Sequence, residues 1–302
     1  MKRDLISILD VKDDLIEIIK LGQEIKKNPK KYDEALKGKS LAMIFEKPST
    51  RTRTSFEVGM TQLGGHALYM SPRDLQMGRG ETIEDTAKVL SRFVDGIIYR
   101  AFDHKMVINL AQNATVPVIN ALDDVEHPAQ IIADLMTILE KKGKLKGLKV
   151  SFIGDGNNVA NSLMLGCAIV SADFYIASPK GYEIKDDYVT LARKIANGKS
   201  KIVVTNDPIE AAKDADVIYT DVWVSMGEEA EKEKKEKAFR DYQINANLVK
   251  NAKKDYIFMH CLPAHRGLEV TSEVIDGPNS VVFDEAENRL HAQKALMIKL
   301  MS

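Results

Sequence analysis

Between Glu46 and Glu57 the chain reads EKPSTRTRTSFE, an unbroken run of hydroxyl and guanidinium side chains after Pro48. Hydroxyls and guanidinium forks are the donors a phosphate-like anion requires. The apolar stretch before them reads as a strand and the SFEVGMTQLGG that follows reads as a helix, so they occupy the first turn of that helix. Arginines there are unfavourable on their own, because the macrodipole already makes that end positive. A bound anion removes the conflict. Ser49, Thr50, Arg51 and Thr52 are therefore read as an anion seat built on a helix N-terminus. The plainer alternative is a simple Ser49 or Thr50 N-cap followed by surface arginines.

Further chemistry-bearing residues recur wherever a predicted strand ends. The first half offers Arg100, then His127 and Gln130 in HPAQ. These are donors suited to a polarised carbonyl oxygen. The second half offers Asn157, Asn158, Asp221, Ser225 and the pair His260-Cys261. Carboxylate, amide and thiol together suit a zwitterionic amino acid. Two half-sites result, one for an oxyanion and one for an amino acid, and they are expected to face one cleft. With these donors in register, the anion seat outweighs the simple cap.

The elements that must hold these residues alternate. Apolar runs at 41–46, 66–70, 95–100 and 116–121, then at 148–154, 173–178, 201–206, 216–221 and 256–261, are separated by helix-like segments. Such alternation predicts βαβ units and an α/β fold of two domains, each a mostly parallel sheet flanked by helices. Ligands then bind beyond the carboxyl ends of the strands. Asp10 is expected to cap a helix with Val11, Leu15, Ile18, Ile19 and Ile25 on its apolar stripe, ending near Asn28-Pro29. The helix in EHPAQIIADLMTILEKKGKLKG marks the boundary, giving domains 1–138 and 139–285. The final helix, 286–302, is expected to pack back on the first domain. The charge-rich EEAEKEKKEK, from Glu228 to Lys237, is read as a solvated helix rather than a partner surface.

Several functions are excluded. The 302 residues allow two ordinary domains, and 44% hydrophobic with 29% charged residues is a globular balance. A formal net charge of −1 gives no general attraction to nucleic acid or anionic lipid. No apolar run approaches a membrane span, and Asp4, Asp10 and Asp13 interrupt any signal-like start, so a cytoplasmic protein is expected. Two cysteines, Cys167 and Cys261, make neither a disulfide framework nor a zinc pair. The GKS triplets at Gly38 and Gly198 lack the P-loop glycine, since Asp33 and Arg193 stand in its place. GDGNNV lacks the third glycine of a dinucleotide fingerprint. His260, Cys261 and His265 have no second ligand cluster, so neither metal nor cofactor is expected.

Taken together, STRTRTSFE, HPAQ, DVWVSMG and HCLP resemble the aspartate/ornithine carbamoyltransferase family, with order and spacing agreeing over nearly the whole chain. STRTR and HPxQ are common to that family. DxxxSMG and HCLP resemble its ornithine branch, where the aspartate branch carries HPLPR. The resemblance implies transfer of a carbamoyl group from carbamoyl phosphate to the δ-amine of L-ornithine, without cofactor, in arginine biosynthesis. It also implies a homotrimer with shared active sites. Ser49, Thr50, Arg51 and Thr52 would hold the phosphate; Arg100, His127 and Gln130 would address the carbamoyl group, with Arg289 nearby. Gln76 would enter from a neighbouring subunit. Asn158, Asp221, Ser225 and Met226 would bind ornithine, while Cys261 and the Leu262 carbonyl would lie where the nucleophile meets the carbamoyl carbon. Another acceptor (putrescine, aspartate, acetylornithine) and a non-catalytic anion-binding module stay open as alternatives, as does the cellular direction of the reaction. A covalent cysteine intermediate is the second mechanism, disfavoured because His260 on a strand would face away from Cys261.

Overall fold

LAMIF is apolar at every position, as a central parallel strand buried on both faces must be. In the computed structural model it forms β1 (Ser40–Phe45), buried from Leu41 onward. The structure describes residues 2–225, 227 and 229–302. β2 (His66–Met70), β3 (Gly96–Arg100) and β4 (Val118–Leu122) complete a four-stranded parallel sheet in the order β2-β1-β3-β4. The second sheet contains β5 (Lys149–Ile153), β6 (Asp173–Ala177), β7 (Ile202–Thr205), β8 (Val217–Thr220) and β9 (Ile257–His260). It too is parallel throughout, in the order β7-β6-β5-β8-β9. Each of the nine apolar runs is a strand. β2 alone is mostly exposed, an edge strand on which Leu68 and Tyr69 both remain accessible.

The helices that matter for the site are α1 (Leu15–Lys27), α2 (Thr50–Gln62), α3 (His104–Asn113), α4 (Pro128–Lys142), α5 (Asn158–Val170), α6 (Lys232–Phe239) and α7 (Val282–Met301). The chain divides into two units, Met1–Met136 with Glu287–Ser302, and Thr137–Ala286. The division falls inside α4 and α7. Within the first unit Gly59 of α2 lies against Met297, Lys294 and Leu290 of α7. None of the described helices is long and apolar enough to cross a membrane.

Two expectations change. Asp10 does not cap α1; its carboxylate accepts from the Ile6 and Ser7 N–H groups in a capping box around the short 3-10 turn Ile8–Val11. Asp10 stands third in that turn, where it answers the Ser7 cap, and α1 begins only after Asp14. Charged α6 is also not solvated all round. Its Lys235 is buried against Asp155 at 2.6 Å, and Phe239 packs on Tyr182, Trp223 and Tyr242. The i,i+4 charge pattern describes only its outer face.

Candidate active site

In the first unit the strand ends converge on α2. Ser49 caps that helix, its hydroxyl accepting from the Thr52 N–H at 3.1 Å. The Ser49 cap is thus present, and it leaves the other N–H groups of the first turn at the same helix end. Arg100, at the end of β3, is 4% exposed, and His127 at the start of α4 is equally buried. Burial pushes the His127 imidazole well below its ordinary range, and the guanidinium groups of Arg289, Arg100 and Arg51 push it further. The ring is therefore neutral at physiological pH, surrounded by three fixed cations. A neutral imidazole donates a hydrogen bond to an oxyanion without bringing another charge into the cluster.

α7 supplies the brace. Arg289 donates to Gln130 Oε1 and, at 2.9 Å, to Thr52 Oγ1. Gln130 in turn donates to the buried carboxylate of Asp134 at 2.8 Å, which locks its amide orientation. With the Gln293 amide oriented to satisfy both ends, it accepts from Arg289 at 2.9 and 3.1 Å and donates to Ser55 at 2.5 Å. Gln293 is invisible to sequence reading because it belongs to no motif. Its only signal is the spacing of Arg289 and Gln293, one helical turn apart. Arg53 is not in this cluster: it stacks 3.6 Å over Tyr69 and pairs with Glu57. Lys47, 7% exposed, lies 4.7 Å over the Phe102 ring, its ammonium pushed below the ordinary lysine range by burial and then by Arg100.

In the second unit the carboxylate of Asp221 gathers three donors: Cys261 Sγ at 3.1 Å, Asn157 Nδ2 at 2.9 Å and the Val222 N–H at 2.8 Å. Asn157 cannot rotate away. Its oxygen caps α5, accepting from the Val159 and Ala160 N–H groups. Gly156 precedes it because a Cβ there would sit 2.3 Å from the Ile184 nitrogen. Close backbone packing, and not a dinucleotide, accounts for that glycine. Asn158 opens α5 beside this network, and Ser225 lies half-buried on the segment after β8.

The turn after β9 departs from expectation. His260 is the last strand residue, so alternation stops there and does not carry Cys261 to the opposite face. A ring nitrogen of His260, the Cys261 sulfur and an Asp221 oxygen lie within 4.8 Å of one another. These three, without His265, are the group that could hold a soft metal ion. His260 Nδ1 accepts from the Leu262 N–H at 2.9 Å, which leaves its proton on Nε2, 3.4 Å from the buried Glu269. Glu285, 1% exposed, fixes the strand end by accepting from the His260 N–H at 3.0 Å and the Tyr219 hydroxyl at 3.1 Å. Leu262 has a φ of +56°, a conformation that turns the chain sharply out of the strand. Glu269 and Glu285 carried no sequence signal beyond their charge.

Of the remaining candidates, Thr50 is exposed at the start of α2. Gln76 is exposed at the start of a one-turn 3-10 helix, Gln76–Arg79, and joins neither cluster. Met226 lies outside the described residues.

Two parallel-sheet units, one gathering arginines round a neutral imidazole and the other pairing a thiol with a carboxylate, carry donor sets of the kind a group-transfer enzyme uses. The chain belongs to the aspartate/ornithine carbamoyltransferase family: residues 3–140 match its carbamoyl-P binding domain and residues 146–300 its Asp/Orn binding domain. Among its relatives is a catabolic ornithine carbamoyltransferase of Thermoplasma volcanium, 65% identical over all of this chain and 99% of that protein. The ornithine carbamoyltransferase of Picrophilus torridus is 60% identical over the full length of both. The solved ornithine carbamoyltransferase of Pyrococcus furiosus is 56% identical and superposes with a TM-score of 0.96, covering 99% of this chain and 97% of that one.

Proposed function

We propose that this protein transfers the carbamoyl group of carbamoyl phosphate to the δ-amine of L-ornithine, releasing L-citrulline and phosphate. The observation that carries the reading is a buried neutral His127 ringed by Arg51, Arg100 and Arg289 in one unit, with the Asp221–Cys261 pair in the other. Ser49, Thr50, Arg51 and Thr52 bind the phosphate. Arg100, His127 and Gln130 take the carbamoyl group, and Arg289 holds Thr52 and Gln130 in place. Because Thr52 Oγ1 accepts from Arg289, its own proton points to a partner outside that pair.

Attack of the amine builds negative charge on the carbonyl oxygen, and preorganised donors stabilise it without reorganising. The arginines neutralise the departing phosphate. Asn158, Asp221, Ser225 and Met226 bind the amino acid. Cys261 and the Leu262 carbonyl sit at the nucleophile; the Cys261 thiol, already donating to Asp221, passes its proton to that carboxylate as its sulfur takes the proton of the attacking amine. Citrulline formation by purified protein given both substrates tests this. Turnover with putrescine, aspartate or acetylornithine in place of ornithine refutes the acceptor.

The protein is further read as a cytoplasmic homotrimer. Leu68 and Tyr69, one on each side of edge strand β2, and Val58 of α2 offer exposed apolar groups to a second copy, and Gln76 lies exposed nearby in sequence for use across that contact. Mixing inactive Gln76 and Cys261 variants should restore activity in hybrid assemblies. No recovery after verified subunit exchange excludes the shared site. The expected place in arginine biosynthesis competes with a catabolic one, the word two Thermoplasma relatives carry in their names. Complementation of an arginine auxotroph decides between them.

A further inference from the structure

The loop between β4 and α4, which delivers His127, is organised by one acid that belongs to no motif. Asp123 is fully buried. Its Oδ1 accepts from the Val125 and Glu126 N–H groups at 2.8 and 2.7 Å. Its Oδ2 accepts from Asn120 Nδ2 at 2.7 Å and lies 2.5 Å from His104 Nδ1. His104 opens α3, four residues after Arg100, and its own N–H donates to Asp124 Oδ1 at 2.8 Å. The His104–Asp123 contact thus ties the loop after β3, which starts at Arg100, to the loop after β4, which ends at His127. Leu122 between them has a φ of +138°, a conformation that a leucine adopts only when its surroundings hold it there.

We propose that His104 is a positioning residue: its hydrogen bond to Asp123 clasps the two loops that carry Arg100 and His127, and its protonation state couples carbamoyl phosphate binding to pH. This rests on the carbamoyl phosphate half of the function proposed above. His104 is half-buried, so protons reach it. The groups acting on it are acidic: Asp123 by hydrogen bond and charge, with Glu126 and Asp124 beyond. Lys47 faces Asp123 and Asp124 from the loop after β1, and Asp103 precedes His104 on its own element. The hydrogen bond to Asp123 raises the imidazole above its ordinary value near 6.5, against the opposing effect of burial. A raised value means that the charge-assisted clasp is fully made below about pH 6.5 and weakens as pH rises through the raised value. Ornithine needs the opposite, since its amine attacks only when deprotonated. The two halves of the reaction therefore make opposing demands on pH.

The test is the affinity for phosphonoacetamide, a stable analogue of carbamoyl phosphate, measured by calorimetry from pH 6 to pH 9. Wild type is compared with His104→Gln, which keeps a neutral N–H donor but cannot titrate. The analogue's own ionisation is common to both and cancels in the comparison. Between pH 6.5 and pH 8.5 wild type should lose roughly three- to tenfold more affinity than His104→Gln. His104→Ala should bind weakly at every pH. In turnover, His104→Gln should change the KM for carbamoyl phosphate while leaving kcat at saturation nearly unchanged, a split that general destabilisation would not give. Identical pH dependence in wild type and His104→Gln overturns the clasp while leaving the site reading intact. Absence of binding by wild type at any pH overturns the anion half-site, and the clasp with it.

Discussion

Replacing Asp221 by Asn changes one oxygen to an amide nitrogen and almost nothing in shape, yet its effect is computable from the partners. Asp221 accepts three hydrogen bonds, two on Oδ1 and one on Oδ2. An asparagine keeps one acceptor oxygen. If that oxygen stays with Cys261 and Val222, the new NH₂ faces the NH₂ of Asn157, whose oxygen is committed to the α5 cap. If it turns the other way, the NH₂ meets the Val222 N–H. Either rotamer sets donor against donor in a site 8% exposed. One buried group left without its hydrogen bond costs about 1–3 kcal/mol. At about 2–4 °C per kcal/mol for a chain of this size, the melting temperature should fall by roughly 2–12 °C. Loss of the carboxylate should also lower kcat/KM for ornithine by about 100-fold or more, equivalent to roughly 2.7 kcal/mol of transition-state stabilisation.

The compensating variant separates the two effects. In Asn157→Asp/Asp221→Asn the new aspartate caps α5, where a negative charge is favoured, and accepts from the new amide. Its melting temperature should return towards wild type while ornithine turnover stays low, because the charge has moved to the wrong position. Differential scanning calorimetry and initial rates measure both quantities. A double variant no more stable than Asp221→Asn alone refutes the locked-amide account.

Arg51→Ala and Arg100→Ala should each raise the KM for carbamoyl phosphate by roughly 10- to 150-fold, the equivalent of one charge-assisted contact at about 1.5–3 kcal/mol. Unchanged circular dichroism would show the fold intact, and near-normal kcat/KM in either variant sinks the phosphate assignment. Because the folded state holds His127 below its unfolded value, the stability it contributes is complete above about pH 6.5 and is lost as pH falls towards the folded value. Acid unfolding followed by fluorescence should therefore show an excess proton uptake that His127→Gln lowers by about one proton. The δ-amine resembles a lysine amine with a pKa of about 10.4, so kcat/KM for ornithine should rise from about pH 6 to pH 8.5 with a slope near one. Cys261→Ser should keep carbamoyl phosphate affinity but lose much of that step. A flat profile, with chemistry rate-limiting, refutes the account of the nucleophile.

Strands buried on both faces announce themselves, and most of the nine here are of that kind, edge strands β2 and β7 being the exceptions. β2 was legible as an apolar run, but its exposure was not, since an edge position depends on which strand its neighbour pairs with. Helix ends were read less well: Ser7, not Asp10, supplies the first cap, and the two lie three residues apart. Among the site residues, those sitting at strand ends and in motifs were legible as chemistry. The groups that orient them were not. Gln293 reaches Ser55 across 238 positions and His104 reaches Asp123 across 19, and neither distance leaves a trace in local spacing. Alternation also misled where the chain left β9, because the rule holds only inside a strand.

The make-up of the first unit bears on how the protein is born. Thr52 and Gln130 are held by Arg289, yet the segment 137–286 is synthesised between them and it. At about 5–20 residues per second a ribosome takes roughly 8–30 s to cross those 150 positions. Throughout that interval the first unit has every strand but lacks its bracing helix, and only at its end can the second close on its own contiguous chain. A nascent or prematurely released chain thus carries Arg51 and Arg100 without the residue that fixes Thr52 beside them. Thr52 and Gln130 gain their brace only once α7 has been made.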